Sequence, residues 1–290
     1  MSVPRWPCYS VVIPARDASG VIAACLAALA RQSIATTGEI IVVDDGSIDD
    51  TAKVARSLDV PGLIVLENPA RGKSAARNAG LAAARGEIVL FTDADCVPEF
   101  DWAERMLEAF GDASVAGARG VYRSRQREIV ARFVQAEFEE KYRCLAASQA
   151  RTGGIEFADT YATAYRRDVL TGLGGFDEAF AGAEDAELSF RVVANGYRLV
   201  YVADGIVFHR HPTTARAFLT RKASYAFWRA QVFRRYPDRM ARDSYTPGVI
   251  PIQMALSLSG VAALAIAPIA GELSGKRGRN LFSGAAAVFF

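Results

Sequence analysis

The amino-acid sequence predicts an α/β fold in which a mostly parallel sheet is covered by helices on both faces. In its N-terminal third, segments that are apolar throughout alternate with segments of helical pattern. This alternation is expected when parallel strands are buried on both faces. Two of the apolar segments stop at acidic residues, Asp44-Asp45 and Asp93-Ala94-Asp95. Because ligands of such sheets bind at the carboxyl ends of strands, we expect a binding site there.

Each element is supported by local signals. Asp17 or Ser19 is a candidate N-cap for the first helix, and Gly86 follows the third helix as a C-cap signal. Gly196 closes a later amphipathic helix in the same way. No clear linker interrupts this region, so we predict one compact domain over residues 1–212. Strands are predicted over residues 9–14, 39–43, 63–66, 87–92, 160–165, 198–202 and 206–208, and helices over 21–31, 49–58, 74–85, 127–147 and 186–195.

The composition excludes several classes of protein. The 290 residues include 34 basic and 32 acidic side chains, a balance that argues against nucleic acid as a partner. The four cysteines are widely spaced and form no CxxC pair, which disfavours a zinc site or a disulfide scaffold and predicts a reducing compartment. The first residues lack the long apolar core of a signal peptide, so we expect the chain to begin in the cytoplasm.

The C-terminal part has a different pattern. Residues 244–271 contain no charged side chain, and about 20 apolar residues suffice for a helix to span a bilayer. We therefore predict a transmembrane region over 244–290, with a second apolar run from Leu281; a buried helix of a soluble core is the alternative. Residues 213–243 carry eight basic and two acidic residues interleaved with aromatic ones. This predicts an interfacial amphipathic helix on anionic headgroups, with a solvated charged face as the alternative.

The carboxylates after the fourth predicted strand suggest a metal site. Asp93 and Asp95 lie one residue apart, and like charges this close are tolerated when a divalent cation neutralises them. Mg²⁺ or Mn²⁺ prefers oxygen ligands and often shares its shell with substrate phosphates. A surface turn is the alternative, since Asp is common in turns.

Four motifs follow one another along the chain in this order: VVIPARDASG, IIVVDDGSIDDTA, GKSAARNAGLAAARGEIVLFTDAD and GGFDEAFAGAEDAELSFRVVANGYRLVYV. Together they resemble the family 2 glycosyltransferases of the GT-A fold, over roughly residues 9–212. The resemblance implies inverting transfer of a sugar from a nucleotide-diphosphate sugar, in particular a UDP-sugar, to an acceptor hydroxyl. It also implies a Mg²⁺ or Mn²⁺ cofactor.

The resemblance assigns the nucleotide side of the site. Pro14, Ala15 and Arg16 would line the base and ribose. Asp45 would accept a hydrogen bond from the uracil N–H, with Asp44 nearby, although these two aspartates also suit a turn and helix cap. Lys73 and Arg77 would face the diphosphate; for Arg77 the alternative is an ion pair on the helix surface.

The same resemblance assigns the metal. Asp95 would ligate the cation directly, while Asp93 would contact the ribose or support the metal shell, with Ala94 between them at the nucleotide-sugar. His209 matches a histidine that completes the metal shell in some members of the family. The alternative for His209 is a surface or capping role.

Glu184-Asp185 matches the acidic pair of the family, which implies a catalytic role for both residues. Asp185 would be the general base for the acceptor hydroxyl, and a helix N-terminus is expected to keep it ionised. Ordinary capping by acidic residues of a first turn is the alternative. Ala181-Gly182-Ala183 precedes the pair where the family usually has Gly directly before Glu, which puts the loop geometry in question.

The acceptor is less well defined by the sequence. Gln231, Arg234 and Arg235 resemble the QxxRW motif of processive synthases, but without its Trp, which favours transfer of a single sugar. A lipid-linked acceptor or a growing cell-surface glycan suits a site beside a membrane, and the alternative is a non-catalytic, nucleotide-sugar-binding membrane scaffold. The positive-inside rule favours a cytoplasmic catalytic domain, on the basic residues Arg229, Arg234, Arg235, Arg239 and Arg242 against Lys276, Arg277 and Arg279.

Overall fold

The computed structural model describes residues 8–68 and 70–239. The strands are β1 (Tyr9–Ala15), β2 (Gly38–Asp44), β3 (Leu63–Glu67), β4 (Ile88–Thr92), β5 (Val97–Pro98), β6 (Val115–Arg123), β7 (Ala162–Arg166) and β8 (Arg198–Phe208). The α-helices are α1 (Ile22–Ala30), α2 (Thr51–Ser57), α3 (Lys73–Ala83), α4 (Trp102–Glu108), α5 (Ile129–Thr152), α6 (Arg167–Gly172), α7 (Glu184–Ala194) and α8 (Ala215–Arg235).

The described strands form one eight-stranded sheet in the order β3-β2-β1-β4-β7-β6-β8-β5. Strands β3, β2, β1 and β4 are parallel, as their uninterrupted apolar runs predict. Strand β7 runs antiparallel between β4 and β6, and β5 runs antiparallel to β8. The carboxyl ends of β1, β2 and β4 therefore meet at one edge of the sheet.

Helix α3 lies very close to the sheet. A Cβ atom at Gly80 would come within 2.3 Å of the Val12 Cγ1 atom on β1, so only glycine permits this approach. Val12 itself is fully buried in the main core, together with Ile41 and Leu90 of the neighbouring strands. This packing fixes the N-terminal turn of α3 at the same edge as the carboxyl ends of the strands.

The main difference from the predicted elements is β6, a buried strand inside the sheet that the sequence pattern did not indicate. Its glycines Gly117 and Gly120 weaken the strand pattern, yet the packing requires them. A Cβ atom at Gly120 would lie 2.1 Å from the Gly205 carbonyl oxygen, and one at Gly117 would collide with Tyr165 and Leu199. Helices α4 and α6 were not predicted either.

The predicted strands over 198–202 and 206–208 are one continuous strand, β8, which is paired on β6 through two register shifts. The helix predicted over 127–147 begins and ends a few residues later, as α5. Helix α8 confirms a helix within residues 213–243.

The transmembrane region predicted over 244–290 lies outside the described residues and stays a prediction. Among residues 8–68 and 70–239, no helix combines the length and apolar character needed to cross a bilayer.

Candidate active site

The ends of β1 and β2 bring the first predicted residues together. Ala15 and Asp44 are partners in the parallel register, and the backbone N–H of Asp45 donates to the Ala15 carbonyl oxygen at 2.7 Å. Pro14 is partly buried in β1, whereas Arg16 is exposed just beyond its end. Pro14, Ala15 and Arg16, which are predicted to contact the nucleobase and ribose, thus lie together at the edge of the sheet formed by the carboxyl ends of its strands.

Asp45 is buried and holds the loop that follows β3. Its Oδ1 atom accepts hydrogen bonds from the Asn68 side chain at 2.7 Å and from the Gly72 backbone N–H at 2.6 Å. Asp44 accepts from the hydroxyl and backbone N–H of Ser47, so the turn that was the alternative for this segment is present. The nucleotide contacts of Asp44 and Asp45 stay predictions. The same two residues also hold two loops in place.

The loop held by Asp45 carries two cations towards the same edge. Arg71 adopts a left-handed backbone conformation at φ 52°, and its guanidinium lies against Gly46, where an added Cβ would be 3.2 Å from Nε. Lys73 is the exposed first residue of α3, and its charge helps to lower the pKa of Asp95. Two cations and a helix N-terminus are well suited to an anion such as a diphosphate.

Asp93 and Asp95 extend beyond β4 and differ in their surroundings. The side chain of Asp95 is half-exposed, and its Oδ2 atom lies 3.2 Å from the His209 Nε2 atom. Burial alone would raise the pKa of Asp95, but the hydrogen bond and charge of His209 outweigh it and lower that pKa. Asp95 also borders a cleft of ≈ 900 Å³ whose walls include Val21 and the segment from Ser124 to Glu128.

These residues fit a divalent cation. A carboxylate and an imidazole nitrogen that face the same accessible point are donors suited to Mn²⁺ or Mg²⁺. Among the described residues, Asp93, Asp95 and Cys96 also have ligand atoms within 4.8 Å of one another. Burial raises the pKa of the Cys96 thiol well above its usual range, and Mg²⁺ and Mn²⁺ prefer oxygen donors to sulfur.

Arg77 is buried and joins the two acidic motifs. Its Nη1 atom lies 2.6 Å from the Glu184 Oε1 atom, and its Nη2 atom lies 3.2 Å from the Asp93 Oδ1 atom. Burial alone would lower the pKa of the guanidinium, but the charges of Glu184 and Asp93 outweigh it and raise that pKa. The geometry favours this bridge over the diphosphate contact predicted for Arg77, because both terminal nitrogens are engaged and the side chain is 2% exposed.

Helix α3 also positions the loop before the acidic pair. The Asn78 side chain donates to the Phe176 carbonyl oxygen and accepts from the Phe176 N–H. The Ser74 hydroxyl donates to the Phe180 carbonyl oxygen at 3.1 Å. Ser74, Arg77 and Asn78 lie on one face of the helix at spacings of three and four. The GKSAARN motif therefore holds this loop in position, in addition to any contact with a ligand.

Glu184 and Asp185 begin α7, as predicted, but their surroundings differ. Glu184 is buried and forms an ion pair with Arg77, so it has a structural contact, and its catalytic role stays a prediction. Asp185 is half-buried, and burial, together with the charges of Glu184 and Asp159, raises its pKa to about 8. The expectation that the helix N-terminus keeps Asp185 readily ionised is therefore wrong, because desolvation outweighs it.

Residues 181–183, whose sequence departs from the family pattern, have a local explanation. Ala183 adopts the left-handed conformation at φ 57° directly before Glu184, a conformation that glycine accepts more readily. A Cβ atom on Gly182 would lie 2.6 Å from the Trp228 Cδ1 atom of α8. Glycine is thus present one position before the place where the resemblance leads us to expect it, and there an aromatic ring covers the loop.

Several residues of the site escaped the sequence analysis. Asn68 and Arg71 follow the end of β3, so the strand-end rule that identified Asp45 could have found them. Arg119 forms a buried ion pair with Asp159, and Asp159 acts on the pKa of Asp185; no local pattern marks that pair. His211 lies beside His209, and burial lowers its pKa to about 4, so its ring is neutral.

Comparisons with known proteins agree with this geometry. Residues 10–174, more than half of the chain, match the sequence profile of glycosyl transferase family 2. The "Pre-mycofactocin glycosyltransferase" of Mycobacterium tuberculosis (strain CDC 1551 / Oshkosh) is 32% identical over 277 residues, which cover 92% of this chain. The chain spans 56% of the length of that relative.

Two solved structures share the fold. The mannosyltransferase PcManGT from Pyrobaculum calidifontis, in complex with GDP-Man and Mn²⁺, superposes with a TM-score of 0.69 at 24% identity, covering 98% of this chain and 81% of that one. S. aureus TarS in complex with UDP-GlcNAc superposes with a TM-score of 0.57 at 20% identity, covering 71% and 59%. The sheet therefore has the GT-A-like architecture that the motifs predicted, and the chain belongs to glycosyl transferase family 2.

Proposed function

We propose that the protein transfers a sugar from a nucleoside-diphosphate sugar to an acceptor hydroxyl with inversion at the anomeric carbon. The observation that carries this proposal is the Arg77 bridge between Asp93 and Glu184. It links the carboxylates on the donor side to the N-terminus of α7, where Asp185 lies. The proposed diphosphate site and the candidate base are therefore joined by one buried ion-pair network.

In this mechanism, Asp185 takes the proton of the acceptor hydroxyl as the hydroxyl oxygen attacks the anomeric carbon. A raised pKa makes the ionised Asp185 a stronger base than an ordinary aspartate. The new bond forms opposite the departing nucleoside diphosphate, so no covalent enzyme intermediate is needed. Lys73 and Arg71 would hold the diphosphate. Asp45 would bind the nucleobase of the donor. Much of the rate would come from orientation of the two substrates.

Asp95 and His209 would hold a divalent cation, with Asp93 as the nearest further carboxylate. When bound, the cation would act as a Lewis acid that offsets the charge on the leaving diphosphate. Asp95 is suited to this role because its lowered pKa keeps it ionised. The Mn²⁺ in the mannosyltransferase complex of the same fold supports the proposal.

A UDP-sugar is our preferred donor, because a carboxylate at the position of Asp45 can accept from the uracil N–H. Related folds hold GDP-Man in one case and UDP-GlcNAc in another, so the panel of donors to be tested includes both nucleotides. The acceptor that we propose is a lipid-linked sugar or a growing surface glycan.

We further propose that the protein is membrane-anchored, with a cytoplasmic catalytic domain over 1–212, an interfacial segment over 213–243 and a membrane region over 244–290. Helix α8 supports this, since it carries six basic and no acidic residues and exposes Leu219 and Phe227. Alkaline washing of membranes that contain the full chain tests the anchor. A chain that washes off with peripheral proteins would contradict it.

The activity is tested by a donor panel incubated with the full chain and membrane extract as the acceptor source, with and without Mn²⁺. We expect release of nucleoside diphosphate from one donor, dependent on the extract and abolished by chelator. Release from no donor would contradict the transferase assignment. Release that is indifferent to chelator would contradict only the metal assignment of Asp95 and His209.

A further inference from the structure

The two histidines of the chain lie side by side after β8. The Nδ1 atoms of His209 and His211 are 3.3 Å apart, and both side chains are buried. The opposite nitrogen of His209, Nε2, faces Asp95 at 3.2 Å. The opposite nitrogen of His211, Nε2, faces the Gln135 Oε1 atom of α5 at 3.1 Å. A chain of polar contacts therefore runs from α5 to the candidate metal site.

The direction of these contacts follows from the far end of the chain. The Gln135 Nε2 atom lies 3.4 Å from the Tyr122 carbonyl oxygen and 3.3 Å from the Glu139 Oε1 atom. Both oxygens can only accept hydrogen bonds, so the amide group of Gln135 must present its N–H bonds to them. Its oxygen is consequently the atom that faces His211.

The tautomers of both rings follow. Because His211 faces an oxygen through Nε2, it carries a proton there. A second proton on Nδ1 would make a buried cation whose ring nitrogens face an amide and an imidazole rather than a carboxylate, so Nδ1 keeps its lone pair. His209 then has to donate from Nδ1, so its Nε2 atom and the Asp95 carboxylate form a pair of acceptors unless Nε2 is protonated, as in the charged His209 that lowers the pKa of Asp95. Two such acceptors are stable at this distance only with a cation or a proton between them.

The stacked rings around the pair restrict its orientation. Tyr122 stacks on His209 with ring centroids 4.6 Å apart, and Phe138 stacks on His211 at 5.5 Å. The Gln126 side chain accepts from the backbone N–H of His211 and donates to its carbonyl oxygen. The two imidazoles are therefore positioned by β6, α5 and the loop between them.

We propose that Gln135 and His211 are positioning residues that set the tautomer of His209, so that its Nε2 lone pair is presented beside Asp95 to a divalent cation. This inference rests on the metal site of the proposed function. Partners that orient a metal-ligating histidine typically change metal affinity about 10- to 100-fold when they are removed. The N-terminal part of α5, which carries Gln135 and Phe138, thereby gains a role in the site, although Gln135 and His211 need not touch substrate.

The test is Mn²⁺ binding to the full chain, measured by electron paramagnetic resonance of the free ion. His211→Phe keeps a ring against Phe138 but removes the acceptor, so we expect Mn²⁺ affinity to fall about 10-fold or more. His211→Asn places its Oδ1 atom where Nδ1 was, and we expect affinity close to that of the parent. Equal affinity of His211→Phe and the parent would overturn the inference.

A second pair of variants guards against misfolding at position 211. Gln135→Leu removes the oxygen that faces His211 and should lower Mn²⁺ affinity, whereas Gln149→Leu, a matched control on α5 whose amide contacts Tyr201, should not. If both bind as the parent does, the inference fails. If the parent itself binds no Mn²⁺, both this inference and the metal assignment of the proposed function fail. The transferase activity is decided separately, by the donor panel.

The tautomer can also be read directly. Because the chain contains only two histidines, ¹⁵N-histidine labelling of the Mg²⁺-loaded chain gives two imidazole patterns. We expect the proton of His209 on Nδ1 and that of His211 on Nε2. A proton on Nε2 of His209 in the presence of Mg²⁺ would overturn the inference.

Discussion

The acidic side chains of the site lie in different environments, and their chemistry differs accordingly. Asp95 is half-exposed beside an imidazole and has a lowered pKa, whereas Asp185 is desolvated beside two further acids and has a raised one. A carboxylate that remains ionised suits a cation, and one whose proton affinity is raised suits proton transfer. Burial and neighbouring charge therefore explain why Asp95 suits a metal ligand and Asp185 suits a general base.

The raised pKa of Asp185 makes transfer depend on pH. Only the ionised carboxylate can take a proton, so kcat/KM should rise with pH and level off above about 8. Below that pH the ionised fraction falls about tenfold for each unit. A rate that is flat between pH 6 and pH 8 with the chemical step rate-limiting would contradict this prediction.

The same shift has a consequence for stability. The unfolded state loses the Asp185 proton near pH 4 and the folded state near pH 8, so between these values the folded state binds more protons. Stability contributed by the protonated form is therefore present at low pH and lost as the pH rises through 8. The Tm of Asp185→Asn should exceed that of the parent by more at pH 9 than at pH 5; equal differences would contradict the shift.

Arg77 is expected to contribute to folding as well as to the site. Arg77→Met leaves Asp93 and Glu184 without their common cation, and loss of one partner of a buried ion pair costs about 3–5 kcal/mol. The double variant Arg77→Met with Glu184→Gln removes one of the two charges left unpaired and should recover part of that loss. Denaturant unfolding measures the cycle, and strictly additive effects of the two substitutions would contradict the coupling.

At the residue scale, the sequence predicted which acids matter but not how they are joined. Asp45, Asp95 and Asp185 were identifiable because strand ends and helix starts are local features. The partner of Arg77 lies 107 residues away along the chain, and the Asp159 that acts on Asp185 is held by Arg119 of the unpredicted β6. Contacts of this kind depend on strand order, which no local pattern contains.

At the scale of elements, the loop of residues 181–183 leads into α7 and packs against Trp228 of α8. Trp228 occupies the space beside Gly182, and Ala183 bears a left-handed backbone conformation. Neighbouring positions therefore have opposite requirements. Gly182 is needed for its missing side chain, whereas Ala183 would be relieved by losing its own.

These requirements give a matched pair of substitutions. Gly182→Ala should destabilise the protein by about 1–3 kcal/mol, as overpacking does, and Trp228→Ala in the same chain should remove most of that cost. Ala183→Gly should stabilise by up to about 1 kcal/mol, because the left-handed conformation is unfavourable for alanine. Thermal unfolding of the three variants compares them, and a destabilised Ala183→Gly would contradict the backbone argument.

The predictability of the elements varied along the chain for a physical reason. The parallel strands β1 to β4 are apolar runs between helices, and such runs are recognisable from their length and flanking turns. In β6 the apolar sequence pattern is interrupted by Gly117 and Gly120. Because these residues have no side chain, Tyr165, Leu199 and the Gly205 carbonyl oxygen can pack against the strand. Those glycines are explained by neighbours in the sheet and look like loop residues in isolation.

At the scale of the whole molecule, the sheet brings four separate motifs to one edge and leaves α8 covering the loop before Asp185. The order β3-β2-β1-β4 places the predicted nucleotide side beside the Asp93–Asp95 segment. The antiparallel β7 then turns the chain back towards the acidic pair of α7. The donor side and the base side are thus contributed by opposite halves of the chain and joined by Arg77.

The central claim is that Asp185 is the general base of a sugar transfer whose donor is held by other residues. The most direct test compares Asp185→Asn with the parent in two assays, donor binding by calorimetry and transfer to the acceptor by release of nucleoside diphosphate. We predict that the variant binds the donor as the parent does and loses at least about 100-fold in transfer, the range expected for a general base. Turnover equal to that of the parent would contradict the claim.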